Sequence, residues 1–268
     1  MELISQAVGN YMAINLEDIK APQCFGVEKG LQKLQLLPIF HDDQHGTAIV
    51  TLAALINALK LSEKDIAKIR IVVNGAGAAG ITIAKLILAY GATNIVVCDS
   101  KGAIVEGREG LNQSKRELAR MTNPDKISGS LERAIVGMDV FIGVSSGGAF
   151  KAEWVKRMAT RPIIFAMANP IPEIYPEEAQ QNGVFIYGSG RSDFKNQINN
   201  SLVFPGIFRG IQEHGIREIT MDLKLAVARA LAESVGDQLA IENILPSSLN
   251  TKIGKMISNQ MGGLLSKL

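Results

Sequence analysis

The sequence predicts an α/β protein: a doubly wound, Rossmann-like parallel sheet with flanking N- and C-terminal helices. Three observations carry that expectation. Apolar, β-branched runs alternate with helical segments from residue 69 to about 190, the pattern of parallel strands joined by crossover helices. Within that stretch, residues 69–80 run from an apolar strand into a glycine turn, residues 81–90 continue as a helix, and residues 94–99 form a second apolar strand closing on an acid. Residues 1–60 and 207–268 read as helical and would cover the side of the sheet.

Taken in order, residues 2–11 have the pattern of a short helix. Residues 14–22 place two adjacent acids, Glu17 and Asp18, between apolar residues and stop at Pro22, which ends regular structure. Residues 24–36 space Phe25, Val27, Leu31 and Leu34 at helical intervals. An extended apolar approach then leads to His41, Asp42, Asp43 and His45, followed by an alanine- and leucine-rich helix over 47–59. After the β-α-β unit at 69–99 come a turn at Ser100, a helix in the later part of 103–126, and a short helix over 131–136. Strands follow at 138–144, 162–168 and 184–187, with helices over 154–158 and 177–181 between them. An amide-rich segment, 196–206, precedes helices at 207–213 and 221–236; residues 243–268 read as two short packing helices around Pro246.

Composition narrows the function classes. The 268 residues suffice for one large or two modest domains; the expected division is a helical segment, 1–60, and a dinucleotide-binding domain, 61–268. A hydrophobic share of 47%, a charged share of 20% and a net charge of +2 describe a globular chain with no basic block for nucleic acid or an anionic membrane. Cys24 and Cys98 are far apart, and Cys98 falls in an apolar strand, so a reducing, cytoplasmic setting is expected rather than a disulfide framework. No signal-peptide pattern opens the chain, and no run reaches the ~18 apolar residues of a membrane helix.

The glycine turn points to a dinucleotide. Gly75 permits a sharp turn, Gly77 leaves room for a pyrophosphate beside Ala76 and Ala78, and Gly80 lets the helix lie close to the strand. The phosphates would rest on the free N–H groups at the helix N-terminus. Asp99 stands where an acid meets the ribose hydroxyl; its carboxylate favours NAD, while Ser100 and Lys101 beside it would accommodate the phosphate of NADP. Ser145 and Asn169 follow strand ends where a doubly wound sheet binds its ligand, and an asparagine offers both a donor and an acceptor. Glu17, Asp18, Asp42 and Asp43 read singly as turn or helix-capping residues. Converging near an anion-binding turn, they would need a divalent cation, and an all-oxygen set suits Mg²⁺ or Mn²⁺. His41 and His45 have no cysteine at ligand spacing and read as hydrogen-bonded core or loop histidines.

Seven stretches in order, 14–22, 40–48, 75–80, 97–102, 168–170, 190–193 and 199–206, resemble the small prokaryotic malic enzymes. The resemblance implies oxidative decarboxylation of (S)-malate to pyruvate and CO₂, with reduction of NAD or NADP and a requirement for Mg²⁺ or Mn²⁺. It makes Glu17, Asp18 and Asp43 the metal carboxylates, and Asp42 the acid that orients a catalytic lysine. It assigns Gly75, Ala76, Gly77, Ala78 and Asp99 to the dinucleotide, and Asn169 and Asn200 to substrate and nicotinamide. It also implies a homodimer, and an N-terminal domain that supplies a lysine base and a tyrosine acid. Tyr11 and Lys20 do not stand in the corresponding motifs, so a catalytically incompetent, NAD(P)-binding and dimerising fragment is the alternative expectation. A dehydrogenase of the amino-acid type would share the architecture but not the divalent-metal requirement.

Overall fold

The structure is a computed structural model and describes residues 11–265. Its centre is a six-stranded sheet of order β5-β4-β3-β6-β7-β8, formed by β3 (Arg70–Asn74), β4 (Asn94–Asp99), β5 (Gly102–Ala103), β6 (Val140–Gly143), β7 (Ile163–Ala166) and β8 (Ile186–Ser189). All neighbours pair in parallel except β4 and β5. The chain leaves β3 toward β4 on one side and later returns to lay β6 on the other side of β3, with Asn74 opposite Gly143. That reversal opens a crevice at the carboxyl ends of β3 and β6, where open α/β sheets bind ligands.

Strand alternation explains why both faces are covered. Ile71, Val73, Ile95, Val97, Ile142 and Phe165 point into one apolar cluster, and Val72, Val96, Phe141 and Ile164 into the other. The first cluster is filled by α2 (Thr47–Ser62), α3 (Ala78–Tyr90), α7 (Phe204–His214), α8 (Met221–Glu233) and α9 (Ile253–Leu265). The second is filled by the 3₁₀ segment Ala152–Arg157 together with α5 (Leu131–Ala134) and α6 (Pro176–Gln181). Completing the inventory, α1 (Gln23–Gln32) packs Leu31 against a small parallel sheet of β1 (Ile14–Leu16) and β2 (Ile39–His41), and α4 (Gln113–Met121) follows β5. Each apolar side chain fully buried in this way contributes roughly 1.5–3 kcal/mol.

The helix α2 continues from a single π-helical turn, Asp42–Gly46. Together they make a 21-residue helix apolar enough to cross a membrane by length and composition, contrary to the sequence expectation. Its most apolar window is 83% buried inside the fold, so packing explains the composition.

Several expected elements differ. The tail forms one helix, α9, rather than two around Pro246, because Ala240–Asn243 bridging and turns at Ser247 and Asn250 occupy the preceding residues. The helix expected at 154–158 is instead part of the 3₁₀ segment Ala152–Arg157, with Met158 extended beyond it. The strand expected at 184–187 begins at Ile186 and reaches Ser189. β1, β2 and β5 were not foreseen; each has only two or three residues, too few for a two-residue period to register. The helix expected at 2–11 lies outside the described residues apart from Tyr11, which is not helical.

Candidate active site

The glycine turn is built as its spacing demands. Gly75 has φ of +125°, and a Cβ there would press on the Val144 carbonyl; at Gly80 a Cβ would overlap the Gly75 carbonyl. Gly77, by contrast, has open space where its Cβ would stand, and it is followed directly by the first residue of α3, Ala78. The helix start therefore faces a cleft with its N–H groups unobstructed by side chains.

At the end of β4, Asp99 differs from the simple expectation of a carboxylate kept for a ribose. Its Oδ2 accepts from Arg108 at 2.5 Å and Lys115 at 2.6 Å, and its Oδ1 accepts from the Lys101 N–H at 2.9 Å. Although burial opposes ionisation, these donors hold its carboxyl down at about 2. Sequence reasoning missed Arg108 and Lys115, which lie 9 and 16 residues downstream. Their position depends on the β4–β5 turn and on α4, neither of which motif spacing encodes.

The acids gather around the π-turn. Neither Asp42 nor Asp43 caps a helix; His41 is the capping position and makes no side-chain bond there. Instead Asp43 Oδ2 accepts from the Asp18 N–H at 2.8 Å, holding Asp18 in a left-handed conformation at φ of +58°. Such backbone strain costs of order 1–3 kcal/mol and concentrates at functional sites. Asp42 Oδ2 accepts from Asn200 Nδ2 at 2.8 Å, while its buried Oδ1 has no hydrogen-bond partner. Burial, reinforced by the charges of Glu17 and Asp43, pushes Asp42 up to about 7. Glu17 Oε2 accepts from Asn15 at 3.0 Å, and among the described residues no three carboxylates or imidazoles already converge into a metal-holding group. An orphaned carboxylate oxygen, and neighbouring carboxylates whose mutual repulsion a cation would relieve, nevertheless match the donor chemistry of a hard divalent cation.

One open cavity of about 640 Å³ joins these parts: Asp18, Lys20, Asp43, Gly77, Ala78 and Ser145 border it, with Ala168 at the end of β7. A second, of about 540 Å³, runs from Ser145 past Gly75 and Ala76 to Asp99. A third, of about 260 Å³, holds Glu17, Asp42 and Asn200. Ser145, shared by the first two, is fixed by a hydrogen bond from Asn74 Nδ2 to its Oγ at 2.8 Å. All the sequence-derived site residues except Gly80 and Asn169 thus line one of these three clefts. Asn169 follows Ala168, is exposed, and makes no side-chain hydrogen bond among the described residues.

Comparison with known proteins identifies the family. The family model described as malic enzyme, NAD binding domain, aligns with residues 44–260. The chain belongs to the malic enzyme family. The bifunctional malic/malolactic enzyme of Bacillus subtilis is 50% identical over 260 residues, covering 96% of this chain and 63% of that protein. The NADP-dependent malic enzyme of Escherichia coli is 45% identical, covering 87% of this chain and 31% of that protein. Among solved structures, the NAD-dependent malic enzyme of Thermotoga maritima superposes with a TM-score of 0.93 at 44% identity, covering 98% of this chain and 69% of that one. The chain spans about 63% and 53% of the length of the Bacillus subtilis and Geobacillus stearothermophilus malic enzymes it matches.

Other polar residues of this malic enzyme chain are explained by packing. The amides of 196–200 largely serve the backbone: Asn196 bonds Tyr187, Ile241 and Ile244, and Asn199 accepts from the Ser201 N–H. Asn200 alone among them reaches one of the acids at the π-turn, Asp42. His45 pairs with Glu28 at 2.5 Å, the hydrogen-bonded role expected of it. His41 is fully buried, yet neither ring nitrogen has a hydrogen-bond partner, and its Nδ1 lies 4.0 Å from Asp43 Oδ2. Cys24 and Cys98 are free and buried; burial pushes the Cys98 thiol up to about 12, so it is chemically inert.

Proposed function

We propose that this chain supplies the cofactor cleft and metal carboxylates of an enzyme that oxidises (S)-malate to pyruvate and CO₂ with NAD or NADP. The observation that carries the reading is the 640 Å³ cavity bordered both by the start of α3, at Gly77 and Ala78, and by the acids Asp18 and Asp43. A dinucleotide whose pyrophosphate rests on that helix start would extend its ribose toward Asp99 in one direction and its nicotinamide toward Ser145 in the other. Malate would then lie between nicotinamide and carboxylates.

Glu17, Asp18 and Asp43 would hold Mg²⁺ or Mn²⁺, which supplies Lewis acidity toward the substrate's oxygens when bound. Asp42 anchors Asn200 and sets where its amide points. Asn200 and Asn169 would orient a substrate carboxylate and the nicotinamide carboxamide, since each amide presents both donor and acceptor. A bound nicotinamide would supply the hydride acceptor; the reaction would further need a base for the hydroxyl proton and, after loss of CO₂ has left its electron pair as an enolate, an acid to protonate the enolate carbon. The family resemblance assigns base and acid to a lysine and a tyrosine of a preceding domain, so turnover is a property of the longer protein in this reading. The same reading makes the protein a cytoplasmic homodimer, consistent with its two unpaired cysteines.

The test is a malate-oxidation assay of the longer protein with Mn²⁺, followed at NADH and NADPH formation, beside NADH binding by this chain alone. Chelator-sensitive turnover of the longer protein supports the proposal. Binding without turnover in both would leave only a cofactor-binding module.

A further inference from the structure

The loop after β7 holds an acid that no cofactor or metal role absorbs. Glu173 is fully buried, and no ion-pair partner lies within reach among the described residues. Its two oxygens face different strand ends. Oε1 accepts from the Ser145 N–H at 3.0 Å, just past β6, and Oε2 accepts from the Ala168 N–H at 3.1 Å, just past β7. The backbone repeats the connection, since the Glu173 carbonyl accepts from Phe150 N–H at 3.0 Å and the Pro172 carbonyl from Gly148 N–H at 3.0 Å. Space for the carboxylate comes from Gly143, the last residue of β6, where a Cβ would collide with the Glu173 carboxyl.

Burying a carboxylate is expensive, and here burial does raise the Glu173 carboxyl above its usual range against the pull of the two N–H donors. A sheet gains nothing from that cost that a backbone–backbone bond would not give more cheaply. What the carboxylate adds to those two backbone bonds is a direct tie to the Ser145 and Ala168 amides, the ends of the two loops that stand nearest the cavity. One loop carries Ser145, the other Asn169, and Ser145 and Ala168 border the same cavity.

We infer that Glu173 is a positioning residue for the nicotinamide half of the cofactor: its carboxylate clamps the Ser145 and Ala168 amides so that the loops ending β6 and β7 present a preformed seat for the ring. The inference rests on the dinucleotide reading of the cleft. The adenosine half would lie between Gly75 and Asp99, in a cleft that meets the loop after β6 at Ser145, Ser146 and Ala149 but no residue of the loop after β7, and should therefore depend far less on a clamp that joins the two.

Calorimetric titration of the 268-residue chain with NADH and with ADP-ribose, which lacks the nicotinamide ring, separates the two halves. In Glu173→Gln one oxygen becomes an N–H₂ facing an N–H, so one strand end is released. The expected result is a tenfold or greater weakening for NADH with ADP-ribose changed less than twofold. Glu173→Asp, too short to reach both amides, should give the same split more mildly and carries the test if the glutamine variant does not fold. Parallel weakening of both ligands, or no change in either, overturns the inference and makes Glu173 a purely structural acid. A wild-type chain that binds neither ligand overturns the dinucleotide reading instead.

Discussion

Asp43 joins the two acidic motifs, because its Oδ2 holds the Asp18 N–H while the preceding residue, Asp42, anchors Asn200. Asp43→Ala should therefore abolish stabilisation of the chain by Mn²⁺ in thermal melts and leave NADH affinity within about twofold, since the glycine turn does not depend on it. Loss of both would make Asp43 a structural residue. Asp99 gives a second prediction. With Arg108 and Lys115 beside it, removing its charge leaves two cations facing the ribose position, so Asp99→Asn should raise NADP affinity relative to NAD by about tenfold, the effect of ~1.4 kcal/mol. An unchanged ratio of dissociation constants would contradict it. The same residue fixes an acid limb of stability. Its folded-state value of about 2 lies below the unfolded value of about 4, so its contribution is complete above about pH 4 and disappears as pH falls toward 2. Denaturant titrations should show a shallower loss across that window in Asp99→Asn.

At the scale of elements, Gly80→Ala tests the close contact of α3 with β3. The new methyl would overlap the Gly75 carbonyl and force the turn open, costing about 1–3 kcal/mol and weakening NADH binding together. Stability and affinity unchanged in melts and titrations would mean that the turn is not held closed. This part of the fold was legible in the sequence because its signals are local: β-branched runs, glycines at fixed spacing and an acid at a strand end all fall within residues 69–99. Helix α2 was legible for the same reason. The left-handed Asp18 and the strands β1 and β2 were not, since a partner distant in sequence holds each, as Asp43 holds Asp18 across 25 residues; the π-turn and the two-residue β5 were missed because neither carries a period of its own. The tail fails differently. Pro246 suggested a break between helices, whereas the segment around it is turn and α9 begins only at Ile253, where Ile257 and Met261 meet Gly206 and Gly210 of α7. Ile257→Ala should cost about 2–5 kcal/mol of stability by leaving a cavity in that contact.

For the whole molecule, the order of the sheet creates the function-bearing geometry. Reversal of strand order between β3 and β6 opens the crevice. The same apolar cluster that fills one face of the sheet also seats α2, whose π-turn carries Asp42 and Asp43. The resemblance read from seven motifs named the family correctly. Their cooperation across 158 residues, as between Asp42 and Asn200, appears only in three dimensions.

In the proposed function the carboxylate site and the nicotinamide end of the cofactor share a cavity. That arrangement is tested most directly by proton relaxation of NADH bound to the chain, with Mn²⁺ as the paramagnetic probe. The predicted result is strong relaxation of the nicotinamide protons with little effect on the adenine protons, abolished by Asp43→Ala. Equal relaxation at both ends, or none at either with Mn²⁺ bound, would contradict a shared site.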